Sequence, residues 1–93
     1  MIQSFGDADT ARVRRREHVR RFGSDLQRIS NRKLLILDAA ATLNDLRVPP
    51  GNRLEQLRGD RAGQDSIRIN DQWRICFTST SAGPTNVEIT DYH

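Results

Sequence analysis

The chain has 93 residues, a formal net charge of +3 and a sequence isoelectric point near 10.0. This length predicts one domain, residues 1–93, and no apolar run approaches the ~20 residues that cross a bilayer. A single cysteine, Cys76, excludes an internal disulfide, and the first residues lack the basic region and apolar block of a secretory signal. We therefore expect a cytoplasmic protein with no membrane partner.

Basic residues are concentrated in one part of the chain. Residues 10–33 hold nine basic residues against two acidic ones, a balance of +7, so the remainder carries −4. All of the nine except Lys33 are arginine, whose planar guanidinium suits phosphate and carboxylate groups. A solvated helix surface explains any single arginine, whereas the clustering favours a polyanion or an acidic partner.

The first half of the chain predicts a short strand and two helices. Residues 2–5 are the candidate strand, and Asp7 or Asp9 offers an N-cap for a first helix that continues to Phe22. Because its apolar positions form only a thin stripe, we expect this helix to lie on the surface. Gly23 breaks the pattern before the second helix.

The second predicted helix, from Asp25, has a core-facing pattern. At about 100° per residue, one third of its circumference carries Leu26, Ile29, Ile36, Leu37, Ala40 and Leu43. Lys33 lies within this stripe, where its apolar stem can be buried while its ammonium stays at the edge. The Pro49-Pro50 pair then ends the helical half, because proline cannot continue a helix.

The second half of the chain alternates as strands do. Residues 67–75 predict a hairpin whose favoured register pairs the apolar residues, Ile67 with Ile75 and Ile69 with Trp73. That register needs a loop with an odd number of residues and places Arg68 directly opposite Arg74 on the other face. We expect Trp73 to pack in the core and His18, in the basic first helix, to lie on the surface.

Two like charges that face each other across strands cost up to ~1 kcal/mol, so something should offset the Arg68–Arg74 pair. One explanation is a local carboxylate, Glu88, on an outward position of a terminal strand that the alternation at 87–90 predicts. The other is an open sheet face, lined by both arginines and edged by Arg53 and Arg58, that binds phosphate through bidentate hydrogen bonds.

Four segments, in their order and spacing, resemble the HigB toxins of the RelE/ParE superfamily of toxin-antitoxin systems. They read PPGNRLE at 49–55, LRGDRAG at 57–63, SIRINDQWRICF at 66–77, and VEI followed by DYH within 87–93. The resemblance implies an α+β fold, with N-terminal helices packed on one face of a small, mostly antiparallel twisted sheet. It covers essentially the whole chain.

The same resemblance implies an activity and its partners. HigB toxins cleave messenger RNA in the ribosomal decoding site and are restrained by a HigA-type antitoxin that carries a helix-turn-helix. Operator DNA would be contacted only through that antitoxin. RNA supplies its own nucleophile, the 2′-hydroxyl, so no cofactor is needed, and two distant histidines with one cysteine give no metal-ligand spacing.

The resemblance and the chemistry of RNA cleavage together suggest roles for individual residues. Arg74 and Arg68 would hold the scissile phosphate, since guanidinium stays charged at any working pH. His93 would act as general acid or base, because histidine exchanges protons near neutral pH. Tyr92 would stack on a base or orient the 2′-hydroxyl, and Asp91 would orient His93 or Tyr92. Alternatively, Tyr92 and His93 simply cap the edge of the sheet.

Glu55 departs from the family pattern. Some HigB proteins carry a catalytic histidine at the position that this sequence fills with Glu55. Glutamate can act as a base, but it cannot act as a cation towards phosphate. Either Glu55 is the base, or Arg53 and Arg58 provide the electrostatic stabilisation and the activity is weaker or differently tuned.

Two other functions compete with RNA cleavage. The ParE branch of the superfamily blocks DNA gyrase without hydrolysis, and a module with a decayed catalytic set would only bind RNA or protein. The basic N-terminal segment fits ribosomal RNA, an acidic antitoxin surface, or both in turn.

Overall fold

Two α-helices pack against one face of a four-stranded antiparallel sheet in the computed structural model, which describes residues 1–91. The elements are α1 (Ala8–Arg14), α2 (Ser24–Ala39), β1 (Glu55–Gln56), β2 (Asp65–Arg68), β3 (Trp73–Thr80) and β4 (Gly83–Asp91). The strands lie side by side in chain order, and short 3-10 turns lie in the connections between α1 and β2. The predicted α+β fold is confirmed.

The first residues lie along the outer edge of β4. Residues 3–6 run parallel to it: the Gly6 amide donates to the Val87 carbonyl over 2.8 Å, and the Val87 amide donates to the Ser4 carbonyl over 3.1 Å. The predicted strand at 2–5 is reduced to a single parallel bridge between Phe5 and Val87. Hydrogen bonds along this edge occupy backbone groups that would otherwise offer a pairing template to another chain.

Helix α1 begins as predicted and ends early. The Asp7 carboxylate caps it by accepting a hydrogen bond from the Thr10 amide at 2.7 Å. The helix ends at Arg14, not at Phe22, so that prediction is wrong. At about 100° per residue, a continuous helix would place Phe22 opposite Val13, yet both side chains are buried. The chain therefore leaves the helix and returns to the core through a 3-10 turn, Arg20–Phe22.

Helix α2 faces the core with a stripe centred differently from the predicted one. Its most buried apolar residues are Leu34 and Leu37, and the sequence pattern missed Leu34. Leu43 is a second correction, because it lies beyond the helix and remains 37% exposed. The helix ends at Ala39, and a capping box of Thr42 and Asp45 starts a separate 3-10 turn.

The hairpin register is confirmed. Ile67 pairs with Ile75, and Arg68 pairs with Arg74. The Ile69 amide donates to the Trp73 carbonyl over 2.9 Å, so the loop between them has three residues. Its conformation is stabilised by the Asn70 side chain, whose Oδ1 accepts hydrogen bonds from the backbone amides of residues 72 and 73.

The core lies between the helices and the apolar face of the sheet. It contains Val13, Phe22, Leu34, Leu37, Ile67, Ile75, Phe77, Val87 and Ile89 among its buried residues. Trp73 packs at its border, where its ring meets the Phe22 ring edge-on with centroids 5.5 Å apart. This contact confirms the packing role expected of Trp73, and it fixes the turn after α1 against the sheet.

Candidate functional site

The sheet face turned away from the core carries two cross-strand rows of polar side chains, which we call the open face. The strand register places Glu55, Ser66, Cys76 and Glu88 in one row and Arg68, Arg74 and Thr90 in the next. These residues alternate with the core residues of the same strands, so the apolar pairing of the hairpin forces the arginines onto this face.

Arg74 is a firmly held charge of the open face. Its Nε donates to Ser66 Oγ over 2.7 Å, and its Nη2 donates to the Arg53 carbonyl over 2.7 Å. Glu55 Oε2 lies 3.8 Å from the same Nη2, and only 11% of the Arg74 side chain is exposed. Each charge-assisted hydrogen bond contributes roughly 1.5–3 kcal/mol, so the guanidinium is held in one orientation before any ligand arrives.

The Arg53 carbonyl is positioned by a buried polar turn. Arg53 has a left-handed backbone, with φ of 44°, directly after the 3-10 turn Pro50–Asn52. The Asn52 side chain is fully buried; its Nδ2 donates to the Leu46 carbonyl over 3.1 Å, and its Oδ1 accepts a 2.7 Å hydrogen bond from Lys33 Nζ. Helix α2 thus stabilises the backbone that orients Arg74.

Lys33 behaves partly as predicted. The side chain is half-buried within the stripe of α2, and its ammonium finds a partner in Asn52. Burial lowers the pKa of this ammonium, and repulsion from Arg68 and Arg32 lowers it further. Lys33 and Arg68 therefore concentrate positive charge beside the site.

Arg68 lies opposite Arg74 but has a different partner. It forms an ion pair with the exposed carboxylate of Asp71, in the hairpin loop. Glu88, the carboxylate considered from sequence, bridges neither arginine and instead accepts from Arg61 Nη1 over 2.7 Å. The repulsion across the strands is therefore offset by Asp71 beside Arg68, and by Glu55 together with two neutral acceptors beside Arg74.

Two residues that support the open face, Ser66 and Arg61, were not predicted from the sequence. Ser66 accepts a hydrogen bond from Arg74 Nε. The strand alternation that placed Arg68 on this face also places Ser66 there, two residues earlier, so the sequence did contain a signal for Ser66. Arg61 reaches Glu88 from a 3-10 turn, Gly59–Arg61, across 27 positions of sequence, and no local pattern indicates that contact. Cys76 lies between Ser66 and Glu88 in their cross-strand row and is fully buried. Burial raises the pKa of its thiol, which makes the thiol a poor nucleophile.

The other predicted edge residues surround Arg74 unevenly. Glu55 is 51% exposed on β1 and faces Arg74 directly. The Arg53 and Arg58 residues are exposed near this edge. Within residues 1–91, the hydrogen bonds and the ion pair of Arg74 involve Ser66, the Arg53 carbonyl and Glu55, and not Arg58. Glu55, Arg68 and Arg74 thus converge with the backbone of Arg53, while Arg58 lies outside this cluster.

Asp91 ends β4 opposite Trp73, whereas Arg74 pairs with Thr90. The Asp91 carboxylate accepts a 3.0 Å hydrogen bond from Gln72 Nε2. Because side chains alternate along a strand, Asp91 lies on the other side of the sheet from Arg74. Tyr92 and His93 lie outside the described residues, so their roles remain predictions.

Within residues 1–91, no three His, Cys, Asp or Glu side chains are grouped to hold a metal. No described helix is long and apolar enough to cross a membrane.

Comparison with known proteins gives consistent results. Residues 3–93 match the family model of HigB-like toxins, described as RelE-like toxins of the type II toxin-antitoxin system HigB. Over 54 residues the chain is 52% identical to Toxin HigB-1 of Vibrio cholerae, a match that covers 58% of this chain and 57% of that protein. An uncharacterized protein of Haemophilus influenzae is 41% identical over 54 residues, which cover 58% of this chain and 54% of that protein.

Each of these matches spans little more than half the length of the relative concerned. The family model, by contrast, covers all but the first two residues of the chain. Its match agrees with the α+β architecture. The chain belongs to the HigB-like family of RelE-like toxins from type II toxin-antitoxin systems.

Proposed function

We propose that this toxin is a ribosome-dependent endoribonuclease that cleaves messenger RNA in the decoding site and thereby inhibits translation in the cytoplasm. The observation that carries the proposal is the arrangement around Arg74. Its guanidinium is fixed by Ser66 and the Arg53 carbonyl, 3.8 Å from a carboxylate and beside Arg68. A HigA-type helix-turn-helix antitoxin would neutralise it.

Arg74 and Arg68 would bind the scissile phosphate. Nε and Nη2 of Arg74 already have partners, which leaves Nη1 as the nitrogen of this guanidinium best able to reach a ligand. Arg68 would exchange its exposed partner Asp71 for a phosphate oxygen, because an exposed ion pair stabilises the fold by only ~0–1 kcal/mol. Two guanidinium groups would then stabilise the charge that grows on the phosphorus oxygens in the transition state.

The reaction is an internal transfer that needs one proton acceptor and one proton donor. The 2′-oxygen attacks phosphorus, the bond from phosphorus to the 5′-oxygen breaks, and the products are a 2′,3′-cyclic phosphate and a 5′-hydroxyl. Glu55 would take the proton of the 2′-hydroxyl, because it lies beside the guanidinium that holds the adjacent phosphate. His93 would return a proton to the 5′-oxygen.

The remaining candidates would assist this set. Arg53 and Arg58, exposed at the β1 edge, would attract the RNA backbone. Tyr92 would stack on a base or orient the 2′-hydroxyl. Asp91 contacts Gln72 and lies on the other side of the sheet from Arg74, so it would act only indirectly, by orienting His93 or Tyr92. The ribosome would supply the alignment of attacking and leaving oxygens that a shallow protein face cannot impose alone.

The test is to map transcript ends in a translating extract, with and without ribosomes. The parent should cut within codons only when ribosomes are present, and an Arg74→Ala, His93→Ala double variant should lose cutting by ~10³-fold or more. Arg47→Ala is a matched control, because Arg47 is exposed in the 3-10 turn Leu43–Arg47, away from the open face. Unchanged cutting by the double variant would refute these site assignments.

A second assay separates the competing functions. Supercoiling by purified gyrase should be unaffected by the parent protein. Inhibition of supercoiling, with no cleavage on ribosomes, would replace the proposal with the ParE-like activity. Normal cell growth after induction without antitoxin would instead indicate a module that only binds.

A further inference from the structure

One cavity of the described chain lies on the helical side, away from the open face. It is a groove of about 550 Å³ between α2 and the segment that follows α1, and we call it the helix groove. Its lining consists of Val13, Arg16, His18, Ser24, Gln27, Arg28, Asn31, Arg32 and Leu35. It contains no residue of the proposed catalytic set.

Positive charge in the helix groove is largely unneutralised. Arg28 has one acidic neighbour, Asp25, 3.7 Å away on the exposed surface of the same helix. Glu17, the other carboxylate within residues 10–33, pairs with Arg15 outside the lining. Within residues 1–91, neither Arg16 nor Arg32 forms an ion pair, so the groove attracts a negatively charged ligand.

The wall of the groove is held in place by the fold. The chain reverses at Arg16, whose backbone has φ of 63°, and its amide donates to the Val13 carbonyl over 3.0 Å. Gln27 of α2 then binds the returning segment twice: its Nε2 donates to the Glu17 carbonyl over 2.5 Å, and its Oε1 accepts from the Val19 amide at 2.9 Å. A preformed groove costs a ligand less ordering entropy than a mobile one.

Two further features of the helix groove indicate which kind of ligand would fit it. Leu35 is 40% exposed at the groove, an apolar surface that suits an aliphatic side chain. Aromatic residues, on which bases of a single-stranded nucleic acid would stack, are missing from the lining apart from His18.

We propose that the helix groove binds an acidic peptide segment of a partner protein. Carboxylates of the segment pair with Arg16, Arg28 and Arg32, and an aliphatic side chain covers Leu35. A phosphate backbone would satisfy the arginines alone, so the peptide accounts for more of the groove. The proposal is independent of the cleavage activity, because it uses none of the residues placed at the open face.

The test is a binding titration of the whole chain with a fluorescent acidic dodecapeptide of glutamate and leucine residues. Its glutamine analogue and a single-stranded RNA dodecamer serve as comparison ligands. The acidic peptide should bind more tightly than the analogue, and the double variant Arg28→Gln, Arg32→Gln should weaken its binding by about tenfold or more. Leu35→Asp should weaken it as well, whereas Arg47→Gln should leave it unchanged.

Circular dichroism of each variant verifies that the fold is retained, and the Arg47→Gln protein controls for the loss of one positive charge. Equal affinity of the parent and the Arg28/Arg32 variant for the acidic peptide would overturn the proposal. It would also be overturned if these variants weakened binding of the RNA dodecamer but not of the peptide, since the groove would then be a nucleic-acid surface.

Discussion

Arg74 shows how a single side chain acquires a defined role from its surroundings. Its position on β3 places it on the open face. Hydrogen bonds to Ser66 of β2 and to the Arg53 carbonyl before β1 then fix its orientation, and Glu55 adds an ion pair. The charge alone is common in this chain, which holds 15 lysines and arginines, so the charge cannot identify the site. Its hydrogen-bonding geometry can.

Replacement of Arg74 by lysine tests that geometry while the charge is kept. An ammonium is a point charge and cannot donate simultaneously to Ser66, to the Arg53 carbonyl and to a phosphate in the plane of a guanidinium. Arg74→Lys should lower ribosome-dependent cleavage by about 10²-fold, measured as single-turnover cleavage of a bound message. Arg47→Lys is the control, and full activity of Arg74→Lys would show that charge alone suffices.

Asp65 gives a prediction for stability against pH. It pairs with Phe77 across the strands, and burial raises the pKa of its carboxyl above the ordinary 3.8. A carboxyl with a higher pKa in the folded chain favours folding when protonated, and this contribution is lost as pH rises through the folded pKa. At neutral pH the carboxylate therefore destabilises the fold.

Asp65→Asn should accordingly raise the free energy of unfolding at pH 7 by about 0.5 kcal/mol. The gain should vanish well below pH 3.8, where the aspartate is protonated in both the folded and unfolded states. Urea unfolding at the two pH values measures it, with Asp60→Asn on an exposed turn as the control. A gain that persists in acid would mean that burial of the charge is not the cause.

At the scale of elements, α1 is joined to the sheet by a buried polar contact. Thr10 is fully buried, and its Oγ1 accepts a 2.9 Å hydrogen bond from the Ile89 amide of β4. Thr10→Val keeps the shape of the side chain but removes the acceptor, so the buried amide is left unsatisfied. The free energy of unfolding should fall by about 1–3 kcal/mol in urea titrations.

Thr85→Val is the matched control for that change. Thr85 is half-buried on β4, and its hydroxyl donates to the Thr78 carbonyl over 3.2 Å, so its loss leaves no buried amide unpaired. It should cost less than about 1 kcal/mol. Equal losses for the two variants would show that the Thr10 contact does not anchor α1.

The turn that precedes β1 connects α2 to the open face. Asn52→Ala removes the hydrogen bonds to the Leu46 and Val48 carbonyls and leaves Lys33 without its acceptor. We expect a loss of about 2–3 kcal/mol in stability. Because the Arg53 carbonyl loses its support, cleavage should also fall at temperatures where the variant remains folded.

Asn44→Ala provides the comparison, since Asn44 is exposed and only accepts a 3.0 Å hydrogen bond from Arg47 Nε. Stability and cleavage should both stay close to those of the parent. If Asn52→Ala is destabilised but cleaves normally below its melting temperature, the turn has a structural role only.

At the scale of the whole molecule, two charged surfaces face different directions. The open face concentrates arginines around Arg74 on the sheet, and the helix groove concentrates others on the helical side. The proposed activity and the proposed partner therefore occupy separate surfaces. A toxin organised in this way can bind a protein segment on one side without displacing RNA from the other.

The sequence was sufficient for features that depend on local periodicity. Alternation along 67–75 determined the hairpin register and the opposition of Arg68 and Arg74, because only one register buries both apolar pairs. The early end of α1 was not predictable in this way. It depends on the packing of Phe22 against Trp73 and on Gln27 binding the returning backbone, contacts between residues distant in sequence.

The candidate site was predictable to a similar degree. Strand position indicated Arg68 and Arg74, and the resemblance to HigB toxins drew attention to Glu55. The support that Arg74 receives from Ser66 and the Arg53 carbonyl, and the pairing of Arg61 with Glu88, arise from side chains that meet only after the sheet has formed. Such contacts leave no periodic pattern in the sequence.

The most direct test of the central claim is single-turnover cleavage on programmed ribosomes. One message carries a 2′-deoxy substitution at the cut position, and the parent is compared with Glu55→Gln and Arg74→Ala. The account predicts no cleavage of the substituted message, and losses of about 10²-fold or more for each variant on the normal one. Cleavage of the 2′-deoxy message, or parent-like rates for both variants, would contradict it.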